Sequence, residues 1–221
     1  MTLKPLCAAA IVLLAIGPAF AQQGANSSNT RDLKLRGDRF TPLTYDQLTP
    51  AQKTMVEHIL SGPRGSLDGP YNVLLRSPEM GDLAQQFGAS MRYQSSLPPR
   101  LNEFAIIITA RHWTAQHAWT VHKQTALREG LSPAICDAIA NGRRPASMQP
   151  DEEAIYNFAT EMLDAKQVSD ANFAAVKEKF GERGVVDLVG VLGYYSFVSM
   201  VLNVDRYPVA PGLTPELKPL N

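Results

Sequence analysis

From Leu43 onward the chain repeats one pattern of polar and apolar positions. A polar capping residue is followed by apolar residues spaced three and four apart, and each run ends near a glycine or a proline. Such spacings place the apolar residues on one face of an α-helix, and the flanking residues are those that begin and end helices. The pattern predicts an all-α fold. Helix starts are predicted at Tyr45 or Thr49, Ser77, Thr114, Ser132, Asp151 and Ser169.

The helix that begins at Ser77 shows the pattern clearly. Ser77 is a capping residue, and Pro78 occupies the first helical position, where its missing N–H and fixed φ angle are favourable. Leu83, Phe87 and Met91 then follow at intervals of four. These three side chains form the predicted apolar face of this helix.

Two apolar segments depart from the pattern. Residues 106–109 form a β-branched run that propensity alone predicts as a buried strand. Residues 185–202 are almost wholly apolar, which requires a comparison with membrane spans. Because this second run contains Asp187, two glycines and two serines, we expect a core or subunit-interface helix there rather than a membrane span.

The first 21 residues have the features of a secretory signal peptide. Lys4 gives a positive start, residues 8–16 are uncharged and apolar, and Ala19-Phe20-Ala21 is a small-x-small cleavage site. The apolar stretch is shorter than the ~20 residues of a spanning helix, so a retained anchor is the weaker interpretation. We expect cleavage after Ala21 and a periplasmic or secreted mature protein.

The mature chain is predicted to form one domain. Residues 22–42 are polar and aperiodic, and we interpret them as a flexible leader. Residues 43–215 carry the helical pattern, and residues 216–221 form a short tail. No internal repeat is visible in the sequence.

Composition narrows the classes of function. The chain has 221 residues, 45% of them hydrophobic, with 21 basic and 21 acidic side chains. Because this balance offers no basic stripe for a phosphate backbone, nucleic acid is not an expected partner. Cys7 leaves with the signal peptide and Cys136 remains, so the mature chain has neither an internal disulfide nor a catalytic cysteine pair.

Three of the four histidines, His112, His117 and His122, fall within eleven residues. They lie five apart, and each step turns a helix by about 140°, whereas metal ligands on one helix lie three or four apart. No cysteine or nearby carboxylate completes a ligand set. We therefore predict no metal site and no cofactor.

One face of the helix predicted over residues 115–129 carries Ala115, Ala118 and His122. Glu103 lies at the head of the preceding apolar segment, where burying an ionised side chain without a partner is costly. A Glu–His pair would solve this problem, because the carboxylate would orient the imidazole and raise its pKa. The alternative is that Glu103 caps its own helix and His122 is an ordinary interior histidine.

Three stretches of the sequence carry a family resemblance. They are LPPRLNEFAIIITARHW at residues 97–113, the segment over residues 115–132, and the segment over residues 186–203 with its Gly-Tyr-Tyr motif. Together they resemble the carboxymuconolactone decarboxylase and alkylhydroperoxidase D-like family. The resemblance extends over roughly residues 43–215 and implies an all-α fold that assembles into trimers or hexamers.

The resemblance also implies helix for residues 106–109 and a pocket between the helices that hold Glu103 and His122. The peroxidase branch of the family has a glutamate, a Cys-x-x-Cys pair and a histidine four positions after the second cysteine. Glu103 and His122 match, but Ala115 and Ala118 occupy the cysteine positions. Because peroxide reduction needs an attacking thiolate and a resolving thiol, thiol peroxidase activity is not expected.

The decarboxylase branch usually has a carboxylate just before the matching histidine, where this chain has Ala118 with His117 beside it. With these two departures from the family pattern, the resemblance implies a cofactor-free proton-transfer site. In it His122 is the general acid/base, Glu103 orients it, and His117 or His112 is a second donor.

Substrate-binding candidates are of two kinds. Arg100 or Arg111 is a candidate for binding a substrate carboxylate, with surface solvation as the alternative for each, and His112 is a further candidate for binding the substrate. Aromatic residues at helical spacing are candidates for the pocket wall, with an ordinary core role as the alternative. These aromatic residues are Trp119, Tyr194, Tyr195 and Tyr71.

We therefore expect an exported homo-oligomer that performs cofactor-independent acid/base chemistry on a small cyclic carboxylic acid. Decarboxylation, lactone opening and isomerisation all remain open, because one fold hosts different chemistries. The alternative is a non-catalytic oligomer that binds a small molecule on the same scaffold.

Overall fold

The computed structural model describes residue 33 and residues 35–218, and every regular element among them is helical. The predicted signal peptide lies outside the described residues, as do most of the predicted leader and the last three residues. The all-α prediction is confirmed for the described part. After a 3₁₀ turn at Tyr45–Gln47, the helices are α1 (Pro50–Ser61), α2 (Tyr71–Leu74), α3 (Pro78–Tyr93), α4 (Pro99–His112), α5 (Gln116–Arg128), α6 (Pro133–Ala140), α7 (Pro150–Ala165) and α8 (Asp170–Val204).

Side-chain hydrogen bonds cap the starts of α1 and α8. Thr49 and Gln52 form a reciprocal capping box at α1, with the Gln52 N–H donating to Thr49 Oγ1 at 3.3 Å. Ser169 accepts from the backbone of Asn172 at the start of α8, as predicted. The predicted cap at Thr114 is wrong: this residue adopts a left-handed φ of 49°, and Ala115 precedes the first turn of α5.

Helix α4 is the centre of the main core and contacts α5, α6, α7 and α8. Every residue over 101–111 is buried. The β-branched run at residues 106–109 is helical, because packing on all sides of α4 outweighs the strand propensity of its residues.

Helix α8 combines two predicted segments. Its first part reaches Gly181, where φ is 70° and ψ is 179°, a conformation that favours glycine and interrupts the helix as the sequence predicts. The second part is long and apolar enough to cross a membrane, with an 18-residue window of mean hydropathy 1.8. Since 56% of that window is buried inside the protein, it serves as a core helix here.

The described part of the predicted leader packs against the body of the protein, which differs from the expected flexibility. Leu33 is buried in a second apolar cluster formed with α1 and α2, and Leu35 packs against it. The Asp38 N–H donates to the backbone of Asp205 at 3.0 Å, and the Phe40 N–H donates to the Asp205 carboxylate at 3.2 Å. Two apolar side chains and a buried carboxylate beyond α8 thus hold this segment in place.

The described part of the predicted tail also packs against the body of the protein. Glu216 accepts hydrogen bonds from Trp119 Nε1 at 3.0 Å and from Lys123 Nζ at 2.6 Å. Leu217 is buried in the main core. The folded unit therefore extends beyond the predicted domain limits of 43 and 215.

The apolar face predicted for α3 points mainly to solvent in the single chain. Leu83 is 70% exposed and Phe87 is 46% exposed. The residues of α3 that are buried are Gly81, Gln85 and Gly88. Small residues allow α3 to approach its neighbours closely, which periodicity of apolar residues does not reveal.

Candidate active site

The structure brings Glu103 of α4 and His122 of α5 together. His122 Nδ1 lies 2.6 Å from Glu103 Oε2, and both side chains are only 7% exposed. With the carboxylate accepting the Nδ1 proton, Nε2 of a neutral imidazole carries the free lone pair. Ala115 and Ala118, which precede His122 on the same face of α5, are also buried.

The charge state of His122 is set mainly by burial. Burial lowers its pKa below the ordinary value of 6.5, Glu103 opposes this effect, and the positive charges of Arg92 and Arg64 lower the pKa further. Glu103 raises this pKa as expected from the sequence, but the net shift is downward because desolvation outweighs the attraction of the carboxylate. At neutral pH the imidazole is a neutral base.

His122 faces a pocket with about 70 Å³ of free space. Five of the predicted site residues line it: His117, His122, Tyr71, Tyr194 and Tyr195. Glu103 instead contributes to the wall of a neighbouring cavity, and Arg92 contributes to both walls. The histidine–carboxylate pair thus lies between the two spaces.

Two arginines of this pocket were not predicted from the sequence. Arg64 comes from the loop between α1 and α2, and Arg92 comes from the last turn of α3. Arg64 Nη2 donates to the Tyr194 hydroxyl at 3.2 Å, and its buried Nε has no partner within the described residues. Neither guanidinium lies within 4.0 Å of a carboxylate in the described part of the chain. The turn-rich composition of residues 62–70 was the available signal, since loops between rigid helices often carry functional groups.

His117 belongs to a polar group at the edge of the pocket. Burial lowers its pKa to about 4, although the charge of Asp68 opposes this effect, so His117 is neutral at pH 7. Its ring packs edge-on against Tyr207 with 4.5 Å between centroids. Asp68 accepts hydrogen bonds from Tyr207 and from Arg36, which ties the loop over the pocket to both ends of the described chain.

Tyr194 and Tyr195 of α8 form the aromatic wall of the pocket, and α3 leaves room for Tyr194. Tyr195 packs edge-on against the His122 ring at 4.8 Å between centroids, and Tyr194 packs against Tyr195 at 5.2 Å. Gly88 of α3 leaves room for Tyr194, because a Cβ there would lie 2.0 Å from the phenol ring. Burial raises the pKa of both tyrosines, so their hydroxyls remain protonated donors at neutral pH.

Four predicted substrate-binding residues do not line this pocket, and one of them, Arg111, lines a different cavity near the end of α4. Trp119 is fully buried in the main core, which agrees with the alternative weighed for aromatic residues. Arg100 is bound by Asp151 at 2.7 Å and by Glu152. His112 lies at the end of α4, with its Nδ1 3.3 Å from Asp164, and lines a different cavity.

Neither the cysteine of the described residues nor a group of metal ligands adds to this pocket. Cys136 is buried on α6, and burial raises its pKa to about 11, so it is a poor nucleophile. Within residue 33 and residues 35–218, no three His, Cys, Asp or Glu side chains are grouped as metal ligands.

Neither a scan against models of known protein families nor a search of curated proteins found a match to this chain. The side chains of the pocket around His122 are therefore the basis for proposing a function.

Proposed function

We propose that this protein is a cofactor-independent acid/base enzyme that acts on a small carboxylic acid, with His122 as the proton carrier. One observation carries the proposal: His122, paired with the buried Glu103, faces a pocket that also contains Arg64 and Arg92, neither of them within 4.0 Å of a carboxylate in the described chain. Buried ionisable groups in a cleft are characteristic of catalytic sites. The two arginines would bind the carboxylate of the substrate.

The neutral state of His122 favours chemistry that begins with a base. Nε2 would take a proton from a carbon next to a conjugated carbonyl, and the C–H electrons would move into that carbonyl to form an enolate. Glu103 would stabilise the imidazolium formed, which would return the proton to another carbon of the same molecule. Isomerisation of an unsaturated lactone acid fits this order of events better than decarboxylation, which needs the acid form of His122 at the protonation step.

The tyrosines would stabilise the enolate oxygen. Because the Tyr194 hydroxyl accepts a hydrogen bond from Arg64, its own proton is available for donation into the pocket. Burial raises the pKa of Tyr71 as well, which keeps a second phenol protonated. Fixed donors in a site that excludes water stabilise developing negative charge strongly.

Substrate entry would require movement of the loop over residues 62–70. The free space of about 70 Å³ is about the liquid volume of two water molecules, which is less than a lactone acid occupies. Arg64, Asp68 and Gly69 of this loop line the pocket, and both Gly65 and Gly69 adopt positive φ angles. Opening of this loop would admit the substrate, and closing it would bring Arg64 onto the carboxylate.

We also propose the family fold and a homo-oligomer, trimeric or hexameric, as the resemblance implies. Exposed apolar residues support association. Met80, Leu83 and Phe87 form an exposed stripe on α3, and Val186 and Val189 are exposed on α8. Light scattering of the purified protein tests this: a monomer would contradict it.

Export is proposed on the signal-peptide features of residues 1–21. The mature protein would then begin at Gln22 and be found outside the cytoplasm. Intact-mass measurement of the protein from fractionated cells tests this, and a cytoplasmic chain that retains residues 1–21 would contradict it.

Proton exchange in D₂O is the direct test of the reaction. Wild-type protein is incubated with a panel of unsaturated lactone acids, and NMR follows the loss of carbon-bound protons, which detects proton transfer whatever the product. We expect His122→Asn to slow exchange by about 100-fold or more, and the exposed His58→Asn to leave it unchanged. Equal exchange by wild type and His122→Asn would contradict the proposal, and no exchange by wild type would favour the non-catalytic alternative. A thiol-peroxidase assay is the negative control.

A further inference from the structure

A second cavity, of about 140 Å³, lies between α4, α6 and α7. It shares no lining residue with the pocket around His122. One side is apolar, with Ile108, Ile139 and Leu163. The other side is polar and includes Arg111 near the end of α4 and Arg143 after α6.

Arg111 is a buried cation that has no carboxylate within 4.0 Å among the described residues. The residue is 4% exposed, its Nε has no hydrogen-bond partner, and its only side-chain hydrogen bond in the described chain is a long one of 3.4 Å to Thr114. By contrast, the less buried Arg100 binds two carboxylates. Since an uncompensated buried charge is unfavourable, this guanidinium is suited to an anion supplied by a ligand.

The other polar groups of this cavity are compatible with such an anion. Arg143 is exposed and forms no ion pair within the described residues. Asp164 is the one carboxylate in the wall, and His112 Nδ1 approaches it at 3.3 Å. Thr160 donates its hydroxyl to a backbone carbonyl of its own helix. The cationic side therefore retains two guanidinium groups for a ligand.

We propose that this cavity binds a short aliphatic carboxylate, with the carboxylate on Arg111 and the hydrocarbon chain against Ile139 and Leu163. The cavity volume of about 140 Å³ corresponds to four or five water molecules, at ~30 Å³ each. This space accommodates a ligand of the size of butyrate. The site is independent of the proposed reaction at His122.

Butyrate titration of the full chain at constant ionic strength tests this site. The NMR signal of the Arg111 Nε–H group, which has no partner in the structure, should shift on binding. Isothermal titration calorimetry, which does not depend on the Arg111 signal, should give an affinity about tenfold or more weaker in Arg111→Gln. The affinity should be unchanged in Arg128→Gln, because Arg128 is exposed and lines neither this cavity nor the pocket around His122. Arg64→Gln, which alters the other pocket, should leave the Arg111 signal responsive.

Two further measurements test the apolar half of the cavity. Ile139→Phe should abolish butyrate binding without touching the guanidinium, which keeps the proposal testable if Arg111→Gln fails to fold. Acetate should bind about tenfold more weakly than butyrate, because it lacks two methylene groups. An unmoved Arg111 signal at high butyrate concentration, or equal affinities for butyrate and inorganic phosphate, would overturn the proposal.

Discussion

Two histidine–carboxylate pairs of this protein have similar geometry and opposite surroundings. His122 and Glu103 approach to 2.6 Å with both side chains 7% exposed, whereas His58 and Asp82 approach to 2.8 Å with side chains 49% and 21% exposed. Water screens the second pair, and exposed pairs of this kind contribute little. A short distance between complementary groups therefore does not identify a site. The first pair is distinguished by exclusion of water and by two guanidinium groups in the same pocket that have no carboxylate within 4.0 Å among the described residues.

Replacing the histidine of each pair gives the largest expected difference. His122→Leu leaves the Glu103 carboxylate buried without a partner, and we expect a loss of about 3–5 kcal/mol in the free energy of unfolding. His58→Leu should lose about 1 kcal/mol or less. Urea denaturation measures both. Similar losses for the two variants would show that burial does not separate the pairs.

His117 extends the comparison to a buried histidine without a carboxylate in direct contact. Its pKa is about 4 in the folded protein and ~6.5 in the unfolded chain. Unfolded protein thus takes up a proton that folded protein does not, so stability present above pH 6.5 is lost as the pH falls to 4. The difference corresponds to about 3 kcal/mol. Denaturation between pH 7 and pH 4 should show this extra slope in wild type and not in His117→Asn; parallel curves would contradict it.

Two glycines test how tightly the wall beside His122 is packed. A Cβ at Gly88 would lie 2.0 Å from the Tyr194 ring, so Gly88→Ala should cost about 1–3 kcal/mol. Gly193 has open space around its Cβ position, so Gly193→Ala should be neutral or gain up to about 1 kcal/mol from helix propensity. Thermal unfolding compares them. A neutral Gly88→Ala would mean that Tyr194 is free to move.

The smallest expected effect concerns the charge of the pocket. Arg64 lowers the pKa of His122, so Arg64→Gln should raise that pKa. NMR titration of the His122 ring measures the change, with Arg128→Gln as a control that should leave it unaltered. An unchanged or lower pKa of His122 in Arg64→Gln would contradict an effect of the guanidinium on the imidazole.

Sequence reasoning located the helices well and their exposed faces less well. The starts of α1 and α8, the break at Gly181 and the pairing of Glu103 with His122 were predicted, because capping, positive φ and the cost of burying a carboxylate are local or nearly local properties. Leu83 and Phe87 were predicted to lie on the apolar face of α3, and the structure exposes them. Periodicity defines an apolar face but not whether another element covers it.

The sequence by itself determined that the chain is helical and that alanines occupy positions 115 and 118, and it supported the pairing of Glu103 with His122 as one of two interpretations. Tertiary structure alone decided the direction of the pKa of His122 and the arrival of Arg64 and Arg92 beside it. The reason is physical. Helix formation depends on neighbours a few residues away, whereas desolvation and Coulomb interactions depend on which distant side chains exclude water from a group.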